Sequence, residues 1–472
     1  MIDLGMLLAQ HGALVTFMTT PVNASRIRTT INIARESGLP IRFLELHFPC
    51  RELGLPEGCE NADVVSTQKH MFTFFEATRQ LKQPLELYLR EHKPPPSCIV
   101  SDFCQPWTRD LAQSFGIPRL TFFSMSNFAI LCYYNIWHYK VYSDVISDDT
   151  QVFTVPGLTE KIVVTKAQAP GFFGGEGWEK VREEVREAEF EADGILVNSF
   201  HALEPSYFEL YQKAMGKKVW TIGPLFLHKK DMACLATRGN RSSLDVDYCM
   251  QWLDSMKPRS VLYISFGSLT QVKPSQLMEI GKGLEASNYP FIWVIKNNES
   301  SQEIEEWLSG GYEERVSPRG IIVRGWAPQL MILSHSAVGG FLSHCGWNST
   351  LEAICAGVPM ITWPHFSEQF LNERFVVDVL RIGVSVGVKV PNVMMQAASK
   401  KMLIVNGEVL EKVMKKVMDE EEGMEKRRRV EEIRKVAREA MEVGGSSYEN
   451  VMHLIHWFSN DDKKKCMKEE EY

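Results

Sequence analysis

The stretch from Trp326 to Gln369 constrains the fold of this chain more than any other. Within it, residues 340–342 predict a short apolar strand, residues 343–349 are small or polar apart from Trp347, and residues 350–357 have a helical pattern. The N-terminus of a helix presents free backbone N–H groups and the positive end of the helix dipole, so it binds phosphate groups. This strand–turn–helix unit therefore predicts a diphosphate site in an α/β domain.

Side chains within the turn suit the same ligand. Gly346 lets the backbone approach closely, and His344 adds a ring donor just before it. Asn348 and Ser349 are helix-capping residue types whose side chains also donate hydrogen bonds. Each of these residues alone is more often structural, so the prediction depends on their occurring together.

The two ends of the stretch suit a base and a sugar. Trp326 lies close to a proline, and a rigid indole platform can stack on a base. Glu368 and Gln369 place a carboxylate beside an amide, a pair that can hold the vicinal hydroxyls of a sugar. The sequence thus predicts a nucleotide-sugar ligand.

Residues 326–369 as a whole resemble the signature box of plant family 1 UDP-sugar glycosyltransferases. The resemblance implies an α/β fold with two doubly wound Rossmann-like domains facing a cleft, the GT-B type. It assigns Trp326 and Ala327 to uracil, Gln329 and Glu352 to ribose, His344, Gly346, Asn348 and Ser349 to the diphosphate, and Trp347, Glu368 and Gln369 to the sugar. Ser268, after another predicted strand, would also face the phosphates. Because glucosyl-using members usually carry Gln at position 369, we expect UDP-glucose as the donor.

Asp102 ends a predicted strand and has two interpretations. Its carboxylate either caps the helix that follows or faces the ligand crevice at the carboxyl end of the sheet. The resemblance favours the second, because Asp102 matches the aspartate that orients the catalytic histidine of the family. The predicted elements begin with a helix over residues 2–10, so we expect an N-terminal truncation that removes the first strand and that histidine. His11, at the C-terminal end of this helix, is no substitute.

The remaining pattern predicts the domain organisation. A single helical pattern covers residues 67–92, and the aromatic segment 125–141 is either a buried helix or one wall of a lipophilic acceptor pocket. The predicted regions are an acceptor-binding domain over 1–225 that lacks its first strand, a linker over 226–250, a UDP-sugar-binding domain over 251–448, a helix crossing back to the first domain over 449–460, and a disordered tail over 461–472.

Composition excludes several function classes. A net charge of −7 provides no basic field for nucleic acid. No apolar run is long enough to span a membrane, and the N-terminus does not read as a signal peptide. The 10 cysteines form no C-x-x-C pair and no metal-ligand spacing, which favours reduced thiols in the cytoplasm and no metal. We expect a monomer.

The expected function is transfer of glucose, with inversion and without a metal, to a hydroxyl of a small lipophilic plant acceptor such as a flavonoid, terpenoid, steroid or hormone. The alternative is a catalytically impaired UDP-sugar-binding protein, because the histidine base is expected to be missing. A nicotinamide-dependent oxidoreductase and a serine hydrolase are disfavoured, since neither G-x-G-x-x-G nor G-x-S-x-G follows a predicted strand. A purely structural protein would not need a diphosphate site.

Overall fold

The computed structural model describes residues 1–65, 67–144, 148–171, 173–174, 176–228, 243–391, 404–419 and 421–469, the last ten of these as backbone only. The chain forms two compact units. The first comprises Met1–Leu131, Phe173–Lys230 and Ala437–Tyr472, and the second comprises Cys132–Phe172 and Asp231–Val436.

The strands, numbered along the chain, are β1 (Val15–Thr19), β2 (Ile41–Glu45), β3 (Ile99–Asp102), β4 (Arg119–Phe123), β5 (Val152–Thr154), β6 (Val163–Thr165), β7 (Gly194–Val197), β8 (Val219–Thr221), β9 (Val261–Ser265), β10 (Phe291–Ile295), β11 (Gly320–Arg324), β12 (Val338–Ser343), β13 (Met360–Thr362) and β14 (Gly383–Ser385).

The α-helices are α1 (Ile2–Gln10), α2 (Pro21–Arg26), α3 (Arg28–Glu36), α4 (Gln68–Gln80), α5 (Lys82–Glu91), α6 (Thr108–Phe115), α7 (Asn127–His138), α8 (Val141–Asp144), α9 (Glu179–Phe190), α10 (Pro205–Met215), α11 (Val246–Asp254), α12 (Pro274–Ser287), α13 (Gln302–Trp307), α14 (Glu313–Val316), α15 (Gln329–Leu333), α16 (Trp347–Ala356), α17 (Gln369–Arg374), α18 (Gly407–Met418), α19 (Glu421–Met441) and α20 (Ser446–Glu469). Short 3₁₀ turns occur at Ala62–Val64, His201–Leu203 and Leu225–His228, and π-helical turns at Leu308–Tyr312 and Phe375–Val379.

The second unit is built on a six-stranded parallel sheet in the order β11-β10-β9-β12-β13-β14. Strands β9, β10, β12 and β13 are buried along their whole length. Their apolar runs suit a parallel sheet covered by helices on both faces. Leu277 and Ile280 of α12 and Leu410 and Met414 of α18 belong to the apolar core that includes β9 and β10. The antiparallel pair β5–β6 also belongs to this unit.

The first unit contains a four-stranded parallel sheet in the order β3-β4-β7-β8 and a separate parallel pair, β1–β2. Its apolar core joins Leu4 and Leu7 of α1, Phe122 of β4 and Leu454 of α20. Parallel sheets flanked by helices in both units confirm the predicted doubly wound α/β fold class.

The final helix packs on the first unit. Ser447 donates a hydrogen bond to the carbonyl oxygen of Gly223 at 2.6 Å, and the Asn450 side-chain amide donates to the carbonyl oxygen of Thr221 at 2.9 Å. The helix proposed over 449–460 therefore forms part of α20, whose backbone stays helical to Glu469 through much of the segment expected to be a disordered tail.

The observed elements differ from the predicted boundaries elsewhere. The helical pattern over 67–92 is two helices, because Pro84 in the first turn of α5 has no N–H and its ring crowds the preceding turn. Within the expected linker 226–250, residues 229–242 lie outside the described part, and α11 already begins at Val246, capped by Asp245. The division into compact units also groups Cys132–Phe172 with the second unit rather than the first.

The described part of the chain has no helix of the length and apolarity that crossing a membrane requires.

Candidate functional site

The turn between β12 and α16 is held in shape by its own neighbours. Cys345 has a φ of +66°, in the left-handed region that few non-glycine residues adopt. Its N–H donates to the Ser343 hydroxyl at 3.2 Å, and its carbonyl oxygen accepts from the fully buried Asn372 amide at 2.9 Å. The strained residue is thus fixed from both sides, and α16 begins at a defined position with Gly346 as its N-cap.

The His344 ring lies against two glycines. A Cβ atom on Gly346 would lie 2.4 Å from His344 Nε2, and a Cβ on Gly267 would lie 2.5 Å from His344 Cε1. Gly267, which precedes Ser268, also has a φ of +68°, so glycine is required there for two reasons. The predicted phosphate-facing residues Ser268 and His344 therefore belong to neighbouring loops.

His344 is uncharged at neutral pH. Burial, together with the smaller effect of the positive charge of Lys296, lowers its pKa to about 3. Its Nδ1 atom is buried and finds no hydrogen-bond partner among the residues that the structure describes. A buried polar atom of this kind is available to a hydrogen-bond partner that a ligand supplies.

Gln329, at the start of α15, contacts the first two turns of α16. Its side-chain amide donates to the Ser349 hydroxyl at 2.9 Å and to a Glu352 carboxylate oxygen at 2.8 Å. Ser349 and Glu352 are almost completely buried. The two residues expected at a ribose, Gln329 and Glu352, therefore lie together, and Ser349 links them to the β12–α16 turn. Asn348 is exposed on the same first turn of α16.

Trp326 and Ala327 lie in the loop between β11 and α15. The backbones are tied to Ser243: the Trp326 N–H donates to the Ser243 hydroxyl at 3.2 Å, and the Ser243 N–H donates to the Trp326 carbonyl oxygen at 2.9 Å. The indole is half-buried and Ala327 is buried. This anchoring fixes the backbone that carries the expected base platform.

The segment after β13 carries Glu368 and Gln369. The Gln369 side-chain oxygen accepts from the N–H groups of His365 at 2.8 Å and Phe366 at 3.2 Å. This oxygen therefore already stabilises the turn that precedes α17. Burial raises the pKa of Glu368, while hydrogen bonds from the Ser367 side chain and the Trp347 N–H oppose that rise. Glu368 therefore lies beside the start of α16.

Trp347 contributes to this site differently from what its residue type suggests. Its side chain is 2% exposed and packs near Phe375, with ring centroids 6.3 Å apart. The ring is therefore part of the core. The indole is therefore not available to hold the sugar. The group of Trp347 that can still do so is its backbone N–H, which faces Glu368.

Three further residues near this site were not predicted. Lys296 follows β10 and acts electrostatically on His344, and buried His365 lies parallel to Trp363 with ring centroids 6.3 Å apart. Burial raises the pKa of Tyr133 well above its usual value; nearby Glu368 adds to the rise and a hydrogen bond with Ser367 opposes it. Neither Tyr133 nor Lys296 lies in the 326–369 stretch. The signal for Lys296 was its position after a predicted strand, and the signal for Tyr133 was its place in the aromatic segment 125–141.

Asp102 lies in the first unit, at the carboxyl end of β3. Its Oδ1 accepts from the N–H of Cys104 at 2.9 Å, a local turn contact of the kind that aspartate often makes. Burial raises its pKa, and the bond from Cys104 opposes that rise. Among the described residues, Asp102 has no hydrogen bond with a histidine. This contact lies before α6, which begins at Thr108 without a side-chain cap, so Asp102 does not cap the helix that follows β3.

Comparison with known proteins identifies similar chains. The family model described as UDP-glucoronosyl and UDP-glucosyl transferase matches residues 239–418. UDP-glycosyltransferase 73C6 of Arabidopsis thaliana is 43% identical over 459 residues, covering 96% of this chain and 92% of the relative. UDP-glycosyltransferase 73D1 of the same plant is 45% identical over 472 residues, covering 96% and 93%.

Solved structures are similar over nearly the whole chain. Glycyrrhiza uralensis UGT73P12, complexed with glycyrrhetinic acid 3-O-monoglucuronide, has a TM-score of 0.90 and 34% identity, covering 100% of this chain and 94% of the other. Arabidopsis thaliana UGT89C1, complexed with quercetin, has a TM-score of 0.74 and 27% identity, covering 97% and 95%. Os79 from O. sativa, in complex with UDP, has a TM-score of 0.76 and 28% identity, covering 97% and 96%.

Proposed function

This chain belongs to the plant UDP-glycosyltransferases, and we propose that it transfers glucose from UDP-glucose to a hydroxyl group of a small lipophilic plant acceptor. One observation carries the donor part of the proposal. Neutral His344 lies two residues before Gly346, the N-cap of α16, and its buried Nδ1 has no hydrogen-bond partner among the described residues. A diphosphate oxygen supplies the missing hydrogen-bond partner, with the helix dipole favouring its negative charge.

The rest of the donor would extend on either side of this diphosphate. The contacts of Gln329 with Glu352 support a ribose subsite, and the anchored Trp326 loop supports stacking on uracil. Glu368, beside the Trp347 N–H, supports a sugar subsite next to the phosphates. The proposed contacts are Trp326 and Ala327 for uracil, Gln329 and Glu352 for ribose, Ser268, His344, Gly346, Asn348 and Ser349 for the diphosphate, and Glu368, Gln369 and the Trp347 backbone for glucose.

The proposed reaction is a single displacement that inverts the anomeric carbon. A base takes the proton of the acceptor hydroxyl, whose oxygen attacks the anomeric carbon while UDP leaves with the electron pair of the broken bond. The N–H groups at the start of α16 and the His344 ring are placed to stabilise the charge on the departing diphosphate. These groups can take the leaving charge without a metal. Cys50, Cys59, Cys132, Cys249 and Cys345 are free thiols, which suits the reducing cytoplasm in which we propose the enzyme acts.

The base of this mechanism needs a residue beyond those proposed for the donor. The family resemblance gives this role to a histidine oriented by Asp102, and among the described residues Asp102 hydrogen-bonds to the N–H of Cys104 and to no histidine. That contact favours a second candidate, a protein that binds UDP-sugar and transfers poorly. Loss of a general base lowers a rate by about 10²–10⁴-fold.

Two measurements on the same protein distinguish the candidates. Calorimetry with UDP tests the donor site, and mass spectrometry tests transfer from UDP-glucose to an acceptor panel that includes quercetin and glycyrrhetinic acid 3-O-monoglucuronide, the ligands bound in the two similar structures. We expect UDP binding and a glucosylated product, with product formation reduced in Asp102→Asn. UDP binding without product would support the second candidate, and no UDP binding would refute both.

A further inference from the structure

None of the five residues proposed above for the diphosphate carries a full positive charge. His344, whose ring is central to it, is neutral because burial lowers its pKa to about 3. The N-terminus of α16 contributes only the partial charge of a helix dipole. A diphosphate carries at least two negative charges, so a nearby cation would strengthen its binding substantially.

Strand register brings Lys296 to this edge of the sheet. In the parallel pairing of β10 with β9, Trp293 lies opposite Ile264, and continuing that register by three residues brings Lys296 level with Gly267. In the pairing of β12 with β9, Ser343 lies opposite Ser265, so His344 follows at the same edge. Lys296, Gly267 and His344 thus follow three adjacent strands at their carboxyl ends, where ligands bind in open α/β sheets.

The Lys296 side chain is held by a buried carboxylate. Its Nζ lies 3.3 Å from Glu299 Oε1, and the two side chains are only 14% and 2% exposed. Glu299 is itself fixed by backbone donors, with Oε1 accepting from the N–H of Val272 at 2.9 Å and Oε2 accepting from the N–H of Lys296 at 3.1 Å. Since Val272 follows the Ser268 loop, Glu299 ties that loop to the turn carrying Lys296.

We propose that Lys296, positioned by Glu299, is an electrostatic ligand of the donor's diphosphate. This inference rests on the proposed function, because it assigns a further residue to the same UDP subsite. An ammonium group acts on phosphate as a point charge, and it does so most strongly where, as here, it is shielded from water. Lys296 therefore contributes to binding of the phosphates and not of the nucleoside.

Calorimetric titration with UDP and with uridine tests the assignment. In Lys296→Met we expect UDP binding to weaken about 10- to 100-fold, in keeping with loss of a contact to a charged group, while uridine binding stays within about twofold of wild type. Lys296→Arg should retain most of the UDP affinity. Lys282→Met is the matched control, because Lys282 also pairs with a carboxylate three residues away, Glu279 at 2.6 Å, but is 58% exposed.

The double variant Lys296→Met/Glu299→Gln separates two explanations for weaker binding. Removing Lys296 alone also leaves Glu299 without its cation, and that carboxylate would repel the phosphates. We expect the double variant to bind UDP better than Lys296→Met but still several-fold more weakly than wild type. Wild-type affinity in the double variant, unchanged UDP binding in Lys296→Met, or equal weakening of UDP and uridine would each overturn the assignment. Failure of wild-type protein to bind UDP would instead refute the proposed function.

Discussion

Substituting Gly267 by alanine tests the position of the His344 ring in diphosphate binding. The new Cβ would lie 2.5 Å from His344 Cε1 and 2.7 Å from Nε2. Ordinary contact begins near 3.4 Å, so the ring must move by about 0.9 Å or the loop must shift. A hydrogen bond to a charged group contributes about 1.5–3 kcal/mol, and misplacing its donor by that distance loses much of it. We therefore expect UDP binding to weaken about tenfold or more.

The same substitution also strains the backbone, and Gly116→Ala isolates that effect. Gly116 ends α6 with a φ of +61°, close to the +68° of Gly267, but a Cβ there meets nothing within 4 Å. Each alanine should lower the free energy of unfolding by about 1 kcal/mol, since the left-handed region disfavours a side chain. Urea denaturation measures this shared cost, and calorimetry measures UDP affinity.

The two variants should differ in ligand binding much more than in backbone strain. Gly116→Ala should bind UDP as wild type does, and Gly267→Ala should not. Wild-type UDP affinity in Gly267→Ala would refute the reasoning, because it would mean that the position of the His344 ring does not matter to the ligand.

Three more predictions concern the ribose subsite, a buried cap and pH. Gln329→Leu removes the amide that donates to both Ser349 and Glu352. In calorimetry, the affinities for UDP and for uridine should therefore fall by the same factor, about three- to tenfold. A loss of affinity confined to UDP would contradict the assignment of Gln329 to the ribose. Glu204 accepts from the N–H groups of Asn127 and Phe128 at the start of α7, each at 2.9 Å. In urea denaturation, Glu204→Ala should therefore lower the free energy of unfolding by about 3 kcal/mol, and Glu204→Gln should lower it by less. Because the pKa values of His344 and His365 are lowered to about 3 in the folded protein, below pH 6.5 the unfolded chain binds protons that the folded chain does not, so stability should fall from pH 6.5 towards pH 3. His365→Gln should make that fall shallower. The measurement is the free energy of unfolding from urea denaturation at successive pH values, and an unchanged slope against pH would contradict the lowered pKa of His365.

Some differences between the sequence interpretation and the structure had a visible signal. Pro84 lies in the middle of the pattern over 67–92, and a proline inside a helical pattern marks a break. Asp245, a good N-cap type, marks the start of α11 within the segment expected to be a linker. Both signals are local, so closer attention to helix caps and breakers would have found them.

Other differences had no local signal. A tryptophan at the start of a helix can face a ligand or the core, and only the packing of Trp347 against Phe375 decides between them. The separation of β1–β2 from the sheet of β3, β4, β7 and β8 likewise depends on which strands pair, which strand patterns alone do not specify.

The sequence by itself determined the strand–turn–helix unit of β12 and α16, because apolar runs, small turn residues and helix caps act over a few neighbouring positions. The sequence also identified the family, because the residues typical of that family follow one another in order over 326–369. Only the tertiary structure decided that Gln329 meets Ser349, and that Lys296 shares a sheet edge with His344. Those meetings depend on the order β11-β10-β9-β12, and strand order is set by long-range pairing that no local pattern encodes.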